Sequence, residues 1–164
     1  MRRGQARLIA FGGMMAALAM TIMCVGGLIP IATFTCPVIS MLILAYVTKI
    51  CGSRIGWAWY GTVAILGLML APDKEAAAVF SFIGFYPIVK PAFDRMKFGF
   101  LLKAILFNSL ILLMYGLLIY LMGMNQLAEE FREMGQIMTM ITLILGNAVF
   151  FLLDKVLFRF HKIK

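Results

Sequence analysis

The side chains that commonly carry catalysis are scarce in this sequence of 164 residues. It has seven acidic residues, three cysteines and one histidine, His161, which lies in a basic C-terminal tail. A metal site needs clustered histidine, cysteine or carboxylate ligands, and a nucleophilic serine needs a base beside it. Neither arrangement is evident, and the cysteines form no C-x-x-C pair. We therefore expect no enzymatic activity, no metal site and no cofactor.

One short stretch concentrates charge: Asp73, Lys74 and Glu75 stand side by side between two long apolar runs. An aspartate in this place can cap the helix that follows, and both acids favour the positive end of its dipole. The alternative is that the turn lines the mouth of a solute pocket. Neutral polar residues inside the apolar runs are expected to form hydrogen bonds between helices. They are Asn108, Ser109, Thr142 and Asn147.

The elements that must position these residues are long apolar segments. The sequence is 63% hydrophobic and 13% charged, with a mean hydropathy of +1.00, which is far from the composition of soluble domains. Apolar runs of this length, without two-residue alternation, predict helices that cross a bilayer. The predicted fold is all-α, with one membrane domain over 1–164 and six helices in one bundle. The spans are placed at about 8–29, 34–50, 55–70, 76–92, 98–122 and 135–158.

The first span follows a basic N-terminus and looks like a signal peptide, but its apolar run is longer than a signal sequence needs. We therefore interpret it as a retained helix. With the N-terminus in the cytoplasm, thirteen of the 15 basic residues face the inside, and only Lys74 and Arg132 face the outside. An even number of spans returns the C-terminus to the inside. This predicts a multi-pass protein of the cell membrane with both termini cytoplasmic.

Three local features have competing interpretations. Trp57, Trp59 and Tyr60 are predicted to form an aromatic belt at the membrane–water interface rather than a stacking site. Pro87 removes a backbone hydrogen bond and is expected to bend the fourth span. The basic loop 90–97 is expected to contact anionic lipid of the bilayer, with a scaffold subunit as the alternative. The net charge of +8 is assigned to topology, and no nucleic acid is expected as a partner.

The order of sequence motifs resembles a known family. A basic N-terminus is followed by RLIAFGGMMAALAM, by the proline-bearing loop GGLIPIATFTCPVIS and by YVTKICGSRIGWAWYGTVAILGLML. Over residues 7–72 this pattern is similar to the substrate-binding S components of energy-coupling-factor (ECF) transporters; the rest of the chain matches by span count and topology. The resemblance implies a small molecule, such as a vitamin, bound at the extracytoplasmic face. It also implies a separate transmembrane scaffold and ATPase subunits that supply the work.

The resemblance further implies two functional surfaces. The first is a small-residue stripe on the first helix, which would dock the scaffold subunit; packing inside the bundle is the alternative. This stripe consists of Ala6, Ala10, Gly13 and Ala17. The second is a solute pocket formed by the outer loops and helix ends. Its expected residues are Thr33, Phe34, Thr35, Asp73, Lys74, Glu75, Asn125, Gln126, Gln136 and Thr139.

Two other functions stay open from the sequence. A membrane scaffold or morphogenesis-type subunit would bind proteins and no solute, and an orphan membrane protein would have neither role. A concave, partly polar pocket at the outer face would favour the solute-binding role. The identity and charge of the solute, the oligomeric state and any pairing of Cys24 with Cys36 do not follow from the sequence.

Overall fold

Long apolar segments form helices in the computed structural model, which describes residues 3–26, 32–96, 98–121, 129, 140, 143–144 and 146–159. All regular elements in these ranges are helical, so the predicted all-α class is confirmed. Residues 146–159 form a C-terminal helical segment. The helices before it are α1 (Arg3–Gly26), α2 (Ala32–Cys51), α3 (Ser53–Leu70), α4 (Lys74–Ile83), α5 (Tyr86–Phe93) and α6 (Gly99–Leu121).

Four described segments are long and apolar enough to cross a membrane, as expected of a multi-pass membrane protein. They correspond to the first, second, fourth and fifth predicted spans. The third predicted span is helical as α3 but is not among the four, and the described part of the sixth is helical over 146–159. The count of six spans stays a prediction. The four segments are Ala6–Gly26, Thr33–Cys51, Lys74–Phe93 and Gly99–Leu117.

Pro87 follows a break between two helices, and the bend expected there stays a prediction. α4 ends at Ile83, a turn follows, and Pro87 lies in the first turn of α5. Because proline has no backbone N–H, the ordinary ladder of helical hydrogen bonds is interrupted here. The Ile88 amide instead donates to the carbonyl of Phe85, three residues back, at 3.0 Å. The break allows α5 to bury Tyr86, Pro87 and Lys90.

The chain forms two compact units, Met1–Met96 and Lys97–Lys164. In the first unit, α1 to α4 alternate in direction. The Cys51 thiol at the end of α2 donates to the carbonyl of Leu8 near the start of α1, at 3.7 Å. The Tyr60 hydroxyl in the first half of α3 donates to the carbonyl of Ser81 in the last half of α4. The α3–α4 turn and the start of α2 therefore lie at one end, and the α2–α3 turn lies at the other.

The three residues predicted as an aromatic belt have different environments. Trp57 is 44% exposed, whereas Trp59 is only 4% exposed and its indole donates to the carbonyl of Gly12 at 3.0 Å. Residues two apart on a helix point about 200° apart, so the two tryptophans cannot share one face. The belt prediction is wrong for Trp59, which is a core residue joining α1 to α3.

Two glycines allow α2 and α3 to pack closely, one in the turn between the helices and one at their contact. Gly52, with φ of 87°, adopts the left-handed conformation that glycine tolerates and turns the chain between these helices. In the next turn, a Cβ added at Gly56 would lie 2.5 Å from Thr48 Oγ1 and 3.3 Å from Thr48 Cβ. The threonine is β-branched and therefore has few alternative rotamers. Gly56 thus sets the distance between the two helices.

In the second unit, α6 pairs with the C-terminal helical segment through polar side chains. Lys103 Nζ lies 3.1 Å from Asp154 Oδ2, and the two side chains are 7% and 19% exposed. The amides of Asn108 and Asn147 exchange two hydrogen bonds, each 3.0 Å long. Polar pairs of this kind join helices where water is absent. The interhelical role predicted for these asparagines is confirmed.

We expect Gly56→Ala to destabilise the protein by about 1–3 kcal/mol, because the added methyl group overlaps Thr48. Adding Thr48→Ala to this variant should recover most of the loss, since it removes the overlapping atoms. Unfolding of the detergent-solubilised protein, followed by circular dichroism, measures both effects. Gly61→Ala in the same helix is the matched control, because a Cβ at that position has no atom within 4 Å in the part of the chain that the structure describes. Equal losses at the two glycines would contradict the close approach.

Candidate functional site

The candidate solute site lies at the end of the first unit that carries the α3–α4 turn, which we call the acidic end. The alternating helix directions bring the start of α2 to this turn. Asp73 therefore lies near Cys36, in the first turns of α2. Six of the ten predicted solute-binding residues lie at this end. They are Thr33, Phe34 and Thr35 in α2, and Asp73, Lys74 and Glu75 in the turn and the start of α4.

The described residues supply only this half of the predicted pocket. Phe34 is 52% exposed, Thr35 is exposed and Thr33 is half-buried, so the start of α2 presents both an aromatic ring and hydroxyl groups. Such a combination suits small-molecule binding. The remaining predicted residues lie outside the described part of the chain. They are Asn125, Gln126, Gln136 and Thr139.

Two side chains in the α3–α4 turn cap the helix ends on either side of it. Asp73 Oδ1 accepts a hydrogen bond from the Ala76 amide at 3.0 Å and so caps the N-terminus of α4, as predicted. Lys74 Nζ donates to the carbonyl oxygens of Leu68 and Met69, at 2.9 and 3.4 Å. These carbonyls belong to the last turn of α3, where no further helical amide can reach them. The charge on each side chain also complements the dipole of the helix that it caps.

The capping contacts limit what this turn offers to a solute. The Lys74 ammonium already contacts two carbonyls, so an anionic solute would have to compete with them. Asp73 uses one carboxylate oxygen, Oδ1, in its cap. Glu75 adds a second negative charge in the first turn of α4. The turn is therefore better suited to a cationic or zwitterionic group than to an anion.

The small-residue stripe of α1 faces away from the core of the first unit. A Cβ added at Gly13 would meet no atom of the described residues within 4 Å. The buried face of α1 is on the other side of the helix and includes Ala19 and Met23. Within the first unit, the stripe is therefore not part of the packed core. The exposed residues of the stripe are Ala6, Ala10, Gly13 and Ala17.

Lys90 has a different role from the one expected for the basic loop 90–97. Its side chain is 2% exposed, and Nζ lies 2.9 Å from Asp94 Oδ2. The i, i+4 spacing of the two residues was the sequence signal for this pair. A buried, paired lysine cannot be a contact for lipid headgroups. The expectation of lipid contact is therefore wrong for Lys90.

Metal-ligating residues are dispersed in the described part of the chain. Within it, no group of three or more histidine, cysteine or acidic residues is placed to hold a metal ion. Cys24 and Cys36 are free thiols, and so is Cys51. The pairing left open from the sequence is thus not formed in this structure.

We expect Asp73→Ala to lower the free energy of unfolding by about 1 kcal/mol, because α4 loses its N-cap. Asp73→Asn should retain most of the stability, since an asparagine oxygen accepts the same bond from the Ala76 amide. Thermal unfolding in detergent compares the two variants. If the alanine and asparagine variants lose the same free energy of unfolding, the turn requires the negative charge of Asp73 and not its capping hydrogen bond.

Comparison of the chain with protein-family models, with curated proteins and with solved structures finds no match.

Proposed function

We propose that this chain is the membrane-embedded, solute-binding subunit of an ECF-type importer. In this role it captures a small molecule at the extracytoplasmic face and relies on partner ATPases for transport. Six spans with both termini in the cytoplasm, as the basic residues predict, would place the acidic end outside the cell. Thr33, Phe34 and Glu75 would then face the compartment from which the solute arrives.

The exposed small-residue stripe of α1 is the observation that carries this proposal. On a helix that contacts only lipid, small residues bring no packing advantage. On a helix that meets another helix, they allow the two backbones to approach and make extensive van der Waals contact. A transmembrane scaffold subunit is a partner that would use such a surface. Gly13 lies within this stripe, and in the described residues no atom lies within 4 Å of a Cβ added there.

The acidic end supports the solute-binding half of the proposal. The exposed ring of Phe34 can cover or stack against a ligand, and the threonine hydroxyls beside it can donate or accept hydrogen bonds. Asp73 and Glu75 give this end a negative potential near the mouth of the site. We therefore favour a cationic or zwitterionic solute.

A second candidate is a membrane scaffold or morphogenesis-type subunit that binds proteins and no solute. The contacts of the α3–α4 turn favour it, because Asp73 and Lys74 both serve as helix caps. In this alternative the stripe of α1 would still bind a partner helix. The two candidates therefore differ in solute binding and agree on docking.

If the stripe of α1 binds a partner helix, replacing its small residues with larger ones should abolish partner binding. Gly13→Leu combined with Ala17→Leu should abolish co-purification of a transmembrane scaffold and its ATPases from native membranes, because the leucines hold the partner helix away. Mass spectrometry of the purified complex identifies and quantifies these subunits. Ala58→Leu combined with Thr62→Leu is the matched control, since it adds similar bulk to exposed positions of α3. Undiminished co-purification in the stripe variant would contradict docking at α1.

Solute binding separates the importer from the scaffold. If the importer proposal holds, one small molecule should remain with the purified protein, and mass spectrometry would identify it. Glu75→Gln should then weaken binding of a cationic solute by about tenfold or more, the loss typical of one charge-assisted hydrogen bond. Glu129→Gln, a change of equal charge at an exposed position, serves as the control. A protein that retains its scaffold but no small molecule would favour the second candidate.

A further inference from the structure

We propose that the first unit holds the headgroup of an anionic phospholipid at the end opposite the acidic end. The site is a cation cluster formed by Arg7, Lys49 and Arg54, which the fold assembles from α1, α2 and α3. This proposal does not depend on the solute or on the importer partners. It also differs from the lipid contact expected at the loop 90–97, where Lys90 is buried.

Contacts between helix ends bring the three cations together. The Cys51 thiol donates to the Leu8 carbonyl at 3.7 Å, so the end of α2 touches the start of α1. Arg7 directly precedes this contact in α1. Lys49 comes two residues before it in α2, and Arg54 follows it by three residues, across the α2–α3 turn. All three side chains are exposed.

The starts of α1 and α3 also lie side by side. A Cβ at Gly12 would be 3.8 Å from Ile55 Cγ2, and the Trp59 indole donates to the Gly12 carbonyl. Arg54 is the neighbour of Ile55, and Arg7 lies little more than one turn before Gly12. Two guanidinium groups are therefore carried by adjacent parallel helices, about one helical turn apart along the helix axes. Guanidinium groups bind phosphate oxygens in bidentate fashion.

The acidic residues of the first unit leave this cluster with an excess of positive charge. Over residues 1–96 the sequence has only three acids. Two of them, Asp73 and Glu75, are at the acidic end. The third, Asp94, pairs with the buried Lys90 at 2.9 Å. The first unit therefore carries more basic than acidic side chains at this end.

The first turn of α3 adds to the same field. The residue before this helix is Gly52, and no side chain caps the helix there. The positive end of the α3 dipole therefore points toward the same region as the Arg54 side chain. It supplements the cations and would not form a site without them.

A membrane lipid is the partner that this position favours. Two of the helices that carry the cations contain segments long and apolar enough to cross a bilayer, and Arg7 and Lys49 lie within two residues of the ends of those segments. A cation at this level meets phosphate headgroups, and each one adds roughly a fivefold preference for an anionic surface. By contrast, Lys90 in the loop 90–97 is buried and paired.

Native mass spectrometry tests the proposal on the full-length protein in micelles that contain equal amounts of phosphatidylglycerol and phosphatidylcholine. The wild type should retain phosphatidylglycerol preferentially, and added salt should reduce this preference. The variant Arg7→Gln, Lys49→Gln, Arg54→Gln should lose the preference by about tenfold or more. The matched control removes three exposed cations elsewhere. It is Arg95→Gln, Lys155→Gln, Arg159→Gln.

Each outcome is decisive. Loss in the cluster variant, with retention in the control, supports the site. Equal loss of the lipid preference in both variants would show a general effect of net charge and would overturn the site. A preference that survives in the cluster variant would also overturn the site. Displacement of the lipid by water-soluble glycerol phosphate would reveal a free-phosphate site and overturn the lipid assignment. If the triple variant unfolds, the three single variants replace it, and each should lose preference by about threefold to fivefold.

Discussion

A bilayer interior offers no water, so each polar group placed in an apolar helix of this chain has to find its partner in the protein. The described contacts follow this constraint. Lys103 pairs with Asp154, and Asn108 pairs with Asn147, each across two helices. In the first unit the Trp59 indole reaches a backbone carbonyl in another helix. These contacts hold helices at defined registers, which apolar contacts with interchangeable lipid tails cannot do.

The exceptions to this rule are informative. Two buried hydroxyls in the described residues, those of Ser40 and Thr48, have no hydrogen-bond partner. Thr48 lies where Gly56 brings α3 against α2, so close packing there takes precedence over satisfying one hydroxyl. An unpaired hydroxyl costs about 1–3 kcal/mol. Extensive van der Waals contact between two helices can offset a cost of this size.

Small residues have two different uses in this chain. Gly56 is covered by Thr48 and sets the spacing of two helices that belong to the same unit. Gly13 has the same intrinsic properties, but no described atom lies within 4 Å of a Cβ added there, and its neighbours along the α1 stripe are also exposed. Glycine and alanine permit close approach in either case. The proposed docking function follows from the second case, in which the approaching helix would come from another protein.

The primary sequence alone determined the helical class, most helix positions and the cap at Asp73, because these depend on local composition and on neighbours a few residues away. It also predicted that Asn108 and Asn147 form hydrogen bonds between helices, since amides in apolar runs need partners, but not that they bond to each other. The burial of Trp59 and Lys90 was decided by tertiary packing, because helix rotation and the break before Pro87 set which side chains turn inward. The same holds for the exposure of the α1 stripe and for the contacts between the helix ends that carry Arg7, Lys49 and Arg54. Sequence spacing encodes which residues share a face of one helix; only the packed structure decides what that face meets.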